Sequence, residues 1–247
     1  MHPIIGQIGP LIIYSYGLML AVAVMACAFF LSRDARQEGV STEVIWDLVF
    51  WTVVGGILGA RIFFILLNLS FFASYPFEIV MIQNGGLAWQ GSLIGGIIVA
   101  AVFIRIKRLS FLKIADLSAP YIALGQSIGR IGCFLNGCCY GREVVWGPYF
   151  PAQHAHLHPT QLYCSAGLLI VFLILKRLQP QMKTPGQLFM VYLLFASLLR
   201  FGVEFFRADH EIVVLGLSIF QIVCVVIFGA ALYGNIYLQG RRTQSAS

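Results

Sequence analysis

Long apolar runs recur along the entire 247-residue chain. A run of roughly 20 apolar residues is the length that an α-helix needs to cross the hydrocarbon core of a bilayer. Seven such runs cover residues 11–31, 44–67, 87–104, 114–135, 160–175, 186–206 and 215–237. Because backbone polar groups in lipid must be satisfied inside a helix or a closed barrel, the runs predict an all-α polytopic integral membrane protein with about seven transmembrane helices.

The composition of the chain excludes a soluble protein. Hydrophobic residues make up 59% of the sequence and charged residues only 11%. A soluble domain of this size needs many more charged side chains to cover its surface. A soluble or nucleic-acid-binding role is therefore excluded, in spite of the formal net charge of +6.

Basic residues are concentrated in every second connection between the predicted spans. Eleven of the 16 basic residues follow the first, third, fifth and seventh spans: Arg33, Arg36, Arg105, Lys107, Arg108, Lys113, Lys176, Arg177, Lys183, Arg241 and Arg242. Connections rich in lysine and arginine face the cytoplasm. We therefore expect the N-terminus outside and the C-terminus inside.

The chain is expected to form one transmembrane domain over residues 1–247, because no linker or change of composition divides it. Segment 137–159 is a long outer loop that carries glycine, proline, aromatic residues and three histidines. It is predicted to form a small periplasmic cap. The polar residues 240–247 are predicted to form a disordered cytoplasmic tail.

The five remaining basic residues are all arginines in or near the outer halves of spans or in outer loops: Arg61, Arg130, Arg142, Arg200 and Arg207. An arginine within the membrane is costly and marks a functional site, unless it snorkels from a helix end to water. All except Arg142 converge on the outer leaflet, which favours a cationic cluster over separate snorkelling side chains. The expected ligand of this cluster is a phospholipid phosphate, because a planar guanidinium binds phosphate with two hydrogen bonds.

Three charged residues at the outer end of the sixth predicted span share one helical face. Arg200 and Glu204 are four residues apart, and Glu204 and Arg207 are three apart. A carboxylate between two arginines stays ionised and orients both of them. Both a headgroup site and a structural ion-pair network are consistent with this pattern.

Glycine pairs four residues apart occur at 55/59, 91/95 and 125/129. Such pairs let helix backbones approach closely, and we interpret most of them as packing positions. Arg130 directly follows the last pair. Its small neighbours are expected to leave room around the guanidinium for a bulky headgroup.

The Arg130 segment is one of several distinctive segments spread along the chain. It reads GRIGCFLNG over residues 129–137 and continues to Gly141. The others lie at 16–18, 59–61, 85–95, 158–163 and 200–207. In this order and over nearly the whole chain, the segments resemble the family of prolipoprotein diacylglyceryl transferases. Seven spans with the N-terminus outside are also typical of that family.

The resemblance implies a bacterial inner-membrane enzyme with its active site toward the outer leaflet and the periplasm. Such an enzyme moves the diacylglyceryl group of phosphatidylglycerol onto the lipobox cysteine in the signal peptide of a preprolipoprotein, forming a thioether and releasing glycerol phosphate. The implied partners are that lipid, that signal peptide and the bilayer, without nucleic acid and without a cofactor. The reacting thiol belongs to the substrate.

The resemblance also implies site residues. Arg130 and Arg200 would clamp the departing phosphate, supported by Glu204, while Gln90 occupies a catalytic position of the family. The residues implied in phosphatidylglycerol binding are Arg130, Arg200, Arg207, Tyr16, Asn136, Arg61, Gly132 and His158.

Four positions depart from the family's pattern. Gln90 stands where many members have histidine, and Cys133 where asparagine is typical. Ala196 replaces a tyrosine, and Cys164 an acidic residue. Glutamine cannot take a proton near neutral pH. We therefore expect the departing phosphate or Glu204 to accept the proton, while the cationic cluster lowers the pKa of the substrate thiol.

The cysteines form two groups. Cys27 and Cys224 lie in apolar runs, and we interpret them as packing residues. The others lie with three histidines around the predicted cap: Cys133, Cys138, Cys139, Cys164, His154, His156 and His158. Clustered cysteine and histidine can bind zinc or copper, but the spacing is not that of a standard site, so no metal is assigned. A disulfide from Cys138 or Cys139 to Cys133 or Cys164 is possible, but the sequence does not decide it, because cysteine pairing cannot be read from sequence.

Two other functions fit part of the sequence. An anion transporter would also place arginines in its spans, but the chain shows no inverted repeat. A divergent family member, which binds lipid or lipoprotein with an altered acceptor or without catalysis, would accommodate Gln90 and Cys133.

Overall fold

The computed structural model describes residues 1–9, 11–81, 85–208, 212–214 and 216–244. Eight α-helices occupy most of this part of the chain: α1 (Ser15–Gln37), α2 (Thr42–Leu67), α3 (Leu69–Ser74), α4 (Trp89–Ile106), α5 (Phe111–Asn136), α6 (Thr160–Leu178), α7 (Gln187–Glu204) and α8 (Ile219–Gln244). Three short antiparallel hairpins accompany them: β1 (Ile4–Ile8) with β2 (Leu11–Tyr14), β3 (Tyr149–Phe150) with β4 (Ala155–His156), and β5 (Ile212–Val214) with β6 (Leu217–Ser218).

Within the described residues, six helices are long and apolar enough to cross a membrane, namely α1, α2, α4, α6, α7 and α8. The prediction of an all-α polytopic membrane protein is confirmed. The other long helix, α5, covers the predicted span 114–135 but carries Lys113, Asp116 and Arg130 among its 26 residues. The count of seven spans and their orientation stay predictions.

The first and last spans begin later than predicted. Residues 11–14 form β2, and α1 begins at Ser15, because Gly9 turns the chain with a φ of +59° and the flanking isoleucines favour a strand. The last span is predicted from residue 215, which lies outside the described residues, whereas α8 begins at Ile219. It continues to Gln244, so residues 240–244 of the predicted disordered tail are helical, and 245–247 lie outside the described residues.

The chain divides into two compact units. The smaller unit comprises Ser32–Ile114, and the larger unit comprises Met1–Leu31 together with Ala115–Ser247. A single domain over residues 1–247 stays a prediction.

Glycines bring α2 and α4 together in the smaller unit. A methyl group at Gly59 would overlap the carbonyl oxygen of Gly91 and lie 2.9 Å from the Cα of Gly95. A methyl group at Gly95 would overlap the carbonyl oxygen of Gly55. The packing role predicted for these two glycine pairs is confirmed, because any side chain at these positions would separate the helices.

Arg61 of α2 is buried and binds main-chain carbonyls of the smaller unit. Its Nε donates to Ile79 at 3.0 Å, and its Nη1 donates to Gly85 at 2.6 Å and Gly86 at 3.0 Å. Its Nη2 donates to two further carbonyls within residues 78–81. These contacts use every N–H of the guanidinium. In the structure Arg61 thus holds the segment after α3. Its predicted role in phosphatidylglycerol binding stays a prediction.

In the larger unit, α5, α6 and α7 share a buried core. The core contains Ala119, Ala123, Val171, Leu175, Leu188, Val191 and Tyr192. Asp116 of α5 accepts the backbone N–H groups of Gly186 at 2.6 Å and Phe189 at 2.8 Å. A carboxylate at a helix N-terminus satisfies unpaired N–H groups and the helix dipole. Asp116 therefore fixes the start of α7, and Arg200 and Glu204 lie toward the opposite end of that helix.

Candidate functional site

A charged network lies at the C-terminal end of α7. Glu204 is almost fully buried, and its Oε2 forms ion pairs with Nη1 of Arg200 and with Nε of Arg207, the latter at 3.9 Å. The two arginine side chains are 24% and 13% exposed. Glu204 thus orients two arginines that remain partly accessible to a ligand.

A further partner of Glu204 comes from the start of α8. The hydroxyl of Ser218 donates to Oε1 of Glu204 at 3.1 Å and accepts the backbone N–H of Gln221 at 3.2 Å. The side chain of Gln221 accepts the backbone N–H of Ser218 in return, at 2.9 Å. This reciprocal pair is a capping box. Neither Ser218 nor Gln221 is among the residues predicted from the sequence, although a Ser-x-x-Gln pattern before an apolar run is a signal that could have identified them.

We expect Ser218→Ala to lower the free energy of unfolding by about 2 kcal/mol, because it removes a helix cap and a hydrogen bond to a buried carboxylate. Thermal unfolding of the purified protein in detergent, followed by tryptophan fluorescence, would measure the change. Ser74→Ala is the control, since the Ser74 hydroxyl donates to a carbonyl of its own helix at an exposed position. Equal shifts in both variants would contradict a network through Ser218.

Arg130 lies near the end of α5, and its charge reaches the same region as the charges of Arg200 and Arg207. All three guanidinium groups act electrostatically on the thiol of Cys164 in α6. Among the described residues, Arg130 has no hydrogen bond or ion pair with another group. Three guanidinium cations and the Glu204 carboxylate leave two net positive charges, and the donors of Arg130 are available to a ligand.

Small residues surround Arg130 where α5 meets α1. A methyl group at Gly132 would lie 3.0 Å from the Cβ of Met19 and 3.4 Å from the ring of Tyr16. At Gly129, such a methyl group would meet no atom of the described residues within 4 Å. The charge of Arg130 also acts on the hydroxyl of Tyr16. The structure therefore places Tyr16 and Gly132 beside Arg130 and leaves open space on the side of Gly129.

The chain after α5 returns to the end of α7 through Gly141. The backbone N–H of Gly141 donates to the carbonyl of His158, and that of Arg142 donates to the carbonyl of Phe206, both at 2.9 Å. A methyl group at Gly141 would overlap the Phe206 carbonyl oxygen and the Cβ of His158. Gly141 also pairs with Arg207 in a β-bridge. This glycine lets segment 137–159 close directly onto the backbone of Arg207.

Segment 137–159 is folded around the β3–β4 hairpin. Phe150 is fully buried and packs edge-on against Phe134 of α5, with ring centroids 6.2 Å apart. The Nδ1 of His156 lies 2.7 Å from the carbonyl oxygen of Gly147. The segment is therefore a compact cap of the larger unit, and its periplasmic location stays a prediction.

An apolar groove adjoins His158. Its volume is about 450 Å³, and its walls include Trp146, His158, Tyr163, Leu198, Gly202 and Phe206. The Nδ1 of His158 lies 3.0 Å from the hydroxyl of Tyr163. The His158 ring packs edge-on against the rings of Trp146 and Phe206, with centroids 5.0 and 5.4 Å apart. The groove was not predictable from the sequence, because its apolar residues resemble those of any lipid-facing helix.

Three cysteines meet between the end of α5 and the cap. The Sγ atoms of Cys133, Cys138 and Cys139 lie within 4.8 Å of one another, and all three thiols are free. Hydrogen bonds with Cys133 and Cys138 lower the pKa of the Cys139 thiol, and the charges of Arg130 and Arg207 lower it further. Within the described residues, none of the cap histidines joins this group.

The predicted site residues fall into both units. Those of the larger unit are Arg130, Arg200, Glu204, Arg207, Tyr16, Asn136, Gly132 and His158. Asn136 is the last residue of α5, two positions before Cys138. Gln90 is an exposed residue in the first turn of α4 and belongs, like Arg61, to the smaller unit. Its participation stays a prediction.

Comparison with known proteins covers nearly the whole chain. A family model described as "Prolipoprotein diacylglyceryl transferase" matches residues 3–237. A phosphatidylglycerol–prolipoprotein diacylglyceryl transferase of Thermosynechococcus vestitus is 38% identical, over 95% of this chain and 92% of its own length. Enzymes of the same name from Trichormus variabilis (97% and 90% covered) and Lysinibacillus sphaericus (96% and 93% covered) are 37% and 34% identical. The matched region includes the arginine network, the cap and the cysteine group, and the chain therefore belongs to the prolipoprotein diacylglyceryl transferase family.

Proposed function

We propose that this protein transfers the diacylglyceryl group of phosphatidylglycerol to the lipobox cysteine of a prolipoprotein. The donor, the acceptor and the transferred group are those in the names of its relatives. In this reaction the thiol sulfur forms a bond to the glyceryl carbon, while the bond from that carbon to the phosphate oxygen breaks. Glycerol phosphate leaves with the electron pair of the broken bond, and the lipidated cysteine is a thioether.

The observation that carries this proposal is the net charge of the arginine network. Arg130, Arg200 and Arg207 with Glu204 carry two net positive charges around one region of the larger unit. The phosphodiester of the donor has one negative charge, and the departing phosphate monoester approaches two near neutral pH. Fixed cations aimed at a charge that develops during reaction lower the barrier more than they stabilise the bound substrate.

The three arginines have different tasks in this mechanism. Arg130 is free of partners among the described residues and offers its fork of N–H donors to the phosphate. Arg200 and Arg207 are held in place by Glu204, so little reorganisation is needed when the phosphate binds. The guanidinium of Arg200 also lies 5.4 Å from the ring centroid of Phe220, which limits its rotation.

The structure favours the departing phosphate as the proton acceptor over Glu204. Oε1 of Glu204 accepts from Ser218, and Oε2 is shared by the two arginines. Because both oxygens are engaged in a buried position, Glu204 serves to position the arginines. The proton of the incoming thiol then passes to a phosphate oxygen, and the surrounding positive charges favour the thiolate that remains.

The apolar groove beside His158 suits an acyl chain of the lipid donor. Its walls come from α6, α7 and the cap, and the backbone of Phe206 connects it directly to Arg207. We further propose that the site opens toward the outer leaflet of the bacterial inner membrane, as the distribution of basic residues predicts. A lipid could then place its phosphate at the arginines and its chains in the groove.

The direct test uses the purified full-length protein in detergent with phosphatidylglycerol and a peptide that contains a lipobox cysteine. We expect release of glycerol phosphate and a mass increase of the peptide equal to one diacylglyceryl group. A peptide with serine in place of the cysteine is the control. Lipid binding without product would contradict the proposal and would favour a divergent member that has lost catalysis or changed its acceptor.

Gln90 can contribute a hydrogen bond but no proton transfer. We expect Gln90→Ala to lower turnover by about tenfold, which corresponds to one lost hydrogen bond. The pH profile should keep its shape, because an amide does not titrate. Turnover measured from pH 5 to 9 would test both expectations. A profile that changes shape in the variant would contradict this role.

A further inference from the structure

The three-cysteine group has features of a metal site, and the mechanism proposed above gives it no role. Its sulfur atoms lie within 4.8 Å of one another, and none is in a disulfide. Cys133 comes from the end of α5, whereas Cys138 and Cys139 come from the loop that follows. The side chains of two consecutive residues usually diverge, so a specific backbone conformation is needed to direct both toward Cys133.

The N-terminus of α6 holds the loop in that conformation. Gly137 has a φ of +75° and Cys139 a φ of +61°, in the left-handed region that non-glycine residues rarely adopt. The hydroxyl of Thr160 donates to the carbonyl of Cys139 at 2.7 Å, and the amide of Gln161 donates to the carbonyl of Cys138 at 2.6 Å. Thr160 and Gln161 are 2% and 1% exposed. A left-handed backbone conformation is unfavourable for cysteine. It persists at Cys139 because two buried side chains fix the backbone around it.

We propose that Cys133, Cys138 and Cys139 bind one thiophilic d¹⁰ metal ion, of the class of Zn²⁺. Zinc–sulfur bonds of about 2.3 Å in tetrahedral geometry place sulfur ligands about 3.8 Å apart. The group needs to contract by no more than about 1 Å to reach that geometry, which small side-chain rotations can supply. Soft thiolate ligands select such ions over magnesium or calcium.

The surrounding charges suit such a complex. Three thiolates and a divalent ion carry one net negative charge, and the charges of Arg130 and Arg207 both act on Cys139. No fourth histidine, cysteine or carboxylate of the described residues joins the three sulfurs. Three protein ligands with one position open to substrate are characteristic of catalytic rather than structural zinc sites.

The open position has the right chemistry for the acceptor thiol, an assignment that rests on the proposed function. An ion held beside Arg130 would bind the lipobox cysteine as a thiolate, while the thiol proton passes to the departing phosphate. The bound sulfur then forms its bond to the glyceryl carbon as the carbon–oxygen bond breaks. The thioether product, which is a weaker ligand than a thiolate, leaves the ion.

Metal binding can be tested without activity. The full-length protein in detergent would first be reduced and stripped of metal with a chelator. Its affinity for Zn²⁺ would be measured by competition with a chromogenic chelator. Binding of Cd²⁺ would be followed by the charge-transfer absorption of the cadmium–thiolate bonds. We expect one ion per chain, and a loss of affinity of about 100-fold or more in Cys133→Ser and in Cys139→Ser. Cys27→Ser is the matched control, because Cys27 lies in α1, outside the three-sulfur group, with its thiol on the carbonyl of Tyr121. Elution as a single species in size-exclusion chromatography would verify folding of each variant.

The site is refuted if the stripped protein binds no more Zn²⁺ than a variant with all three cysteines replaced. A disulfide among the three that forms in place of ion binding would also refute it. A lipobox peptide should change the absorption of the Co²⁺-loaded protein, and its serine counterpart should not. Binding of Zn²⁺ without transferase activity would support the ion site and contradict the proposed function. Full activity of the metal-free protein would contradict the role of the ion in holding the acceptor.

Discussion

Arg130→Ala is expected to lower kcat/KM for diacylglyceryl transfer by about 10³-fold, the effect of removing a key charged donor from a preorganised site. Arg130 has no hydrogen-bond or ion-pair partner among the described residues, so its replacement leaves no buried group unsatisfied. The loss should therefore appear in catalysis and not in folding. Glycerol phosphate release and the peptide mass shift, measured at several lipid concentrations, would separate kcat from KM.

Arg130→Lys distinguishes charge from geometry. Lysine keeps the positive charge but lacks the planar fork that binds two phosphate oxygens at once. We expect it to recover only part of the lost activity, about tenfold above the alanine variant, because a point charge still stabilises the departing phosphate. Full recovery by lysine would show that long-range charge suffices and would contradict a bidentate clamp.

Arg177→Ala is the matched control for overall charge. Arg177 is an exposed arginine in the last turn of α6, whereas Thr160 and the cap lie at the first turn of that helix. Its removal changes the net charge of the protein by the same amount as Arg130→Ala. Activity close to that of the parent is expected. A comparable loss in both variants would mean that the effect of Arg130 is not local.

The parts of the site that depend on local spacing were predictable from the sequence. The face shared by Arg200, Glu204 and Arg207 follows from helical periodicity, which needs no knowledge of the rest of the fold. The packing of α2 on α4 follows equally from two glycine pairs, because a missing side chain has the same consequence in any helix pair.

The parts that depend on distant segments were not predictable. Arg61 looked like one more arginine of the intramembrane cluster, and only the positions of residues 78–81, 85 and 86 show that backbone carbonyl oxygens accept from its N–H donors. The Ser-x-x-Gln cap at Ser218 has a local signal, but its contact with Glu204 was hidden, because the two residues lie 14 positions apart in the sequence. The three-cysteine group likewise requires the left-handed turn at Cys139, which depends on α6. Sequence spacing alone therefore gave no reason to assign a metal there.

Glu204→Ala is expected to destabilise the protein by about 3 kcal/mol and to reduce activity strongly, because it leaves two partly buried arginines without their common partner. The repulsion between Arg200 and Arg207 would then move both guanidinium groups away from the phosphate. Glu204→Gln preserves the shape of the side chain and an acceptor for Ser218, so it should retain more stability than alanine while losing the ion pairs. Thermal unfolding in detergent and the transfer assay would be measured on the same preparations.

A double-mutant cycle with Ser218 shows whether the buried network acts as one unit. Once Glu204 is alanine, the Ser218 hydroxyl has lost its acceptor, so Ser218→Ala should cost about 1 kcal/mol less in that background than in the parent. The cap of α8 is still lost in both backgrounds, and this accounts for the remaining cost. Strict additivity would mean that Ser218 acts only as a helix cap. Coupling of the expected size, together with a parallel loss of activity, would show that the start of α8 helps to hold the arginines at the end of α7 in position for the departing phosphate.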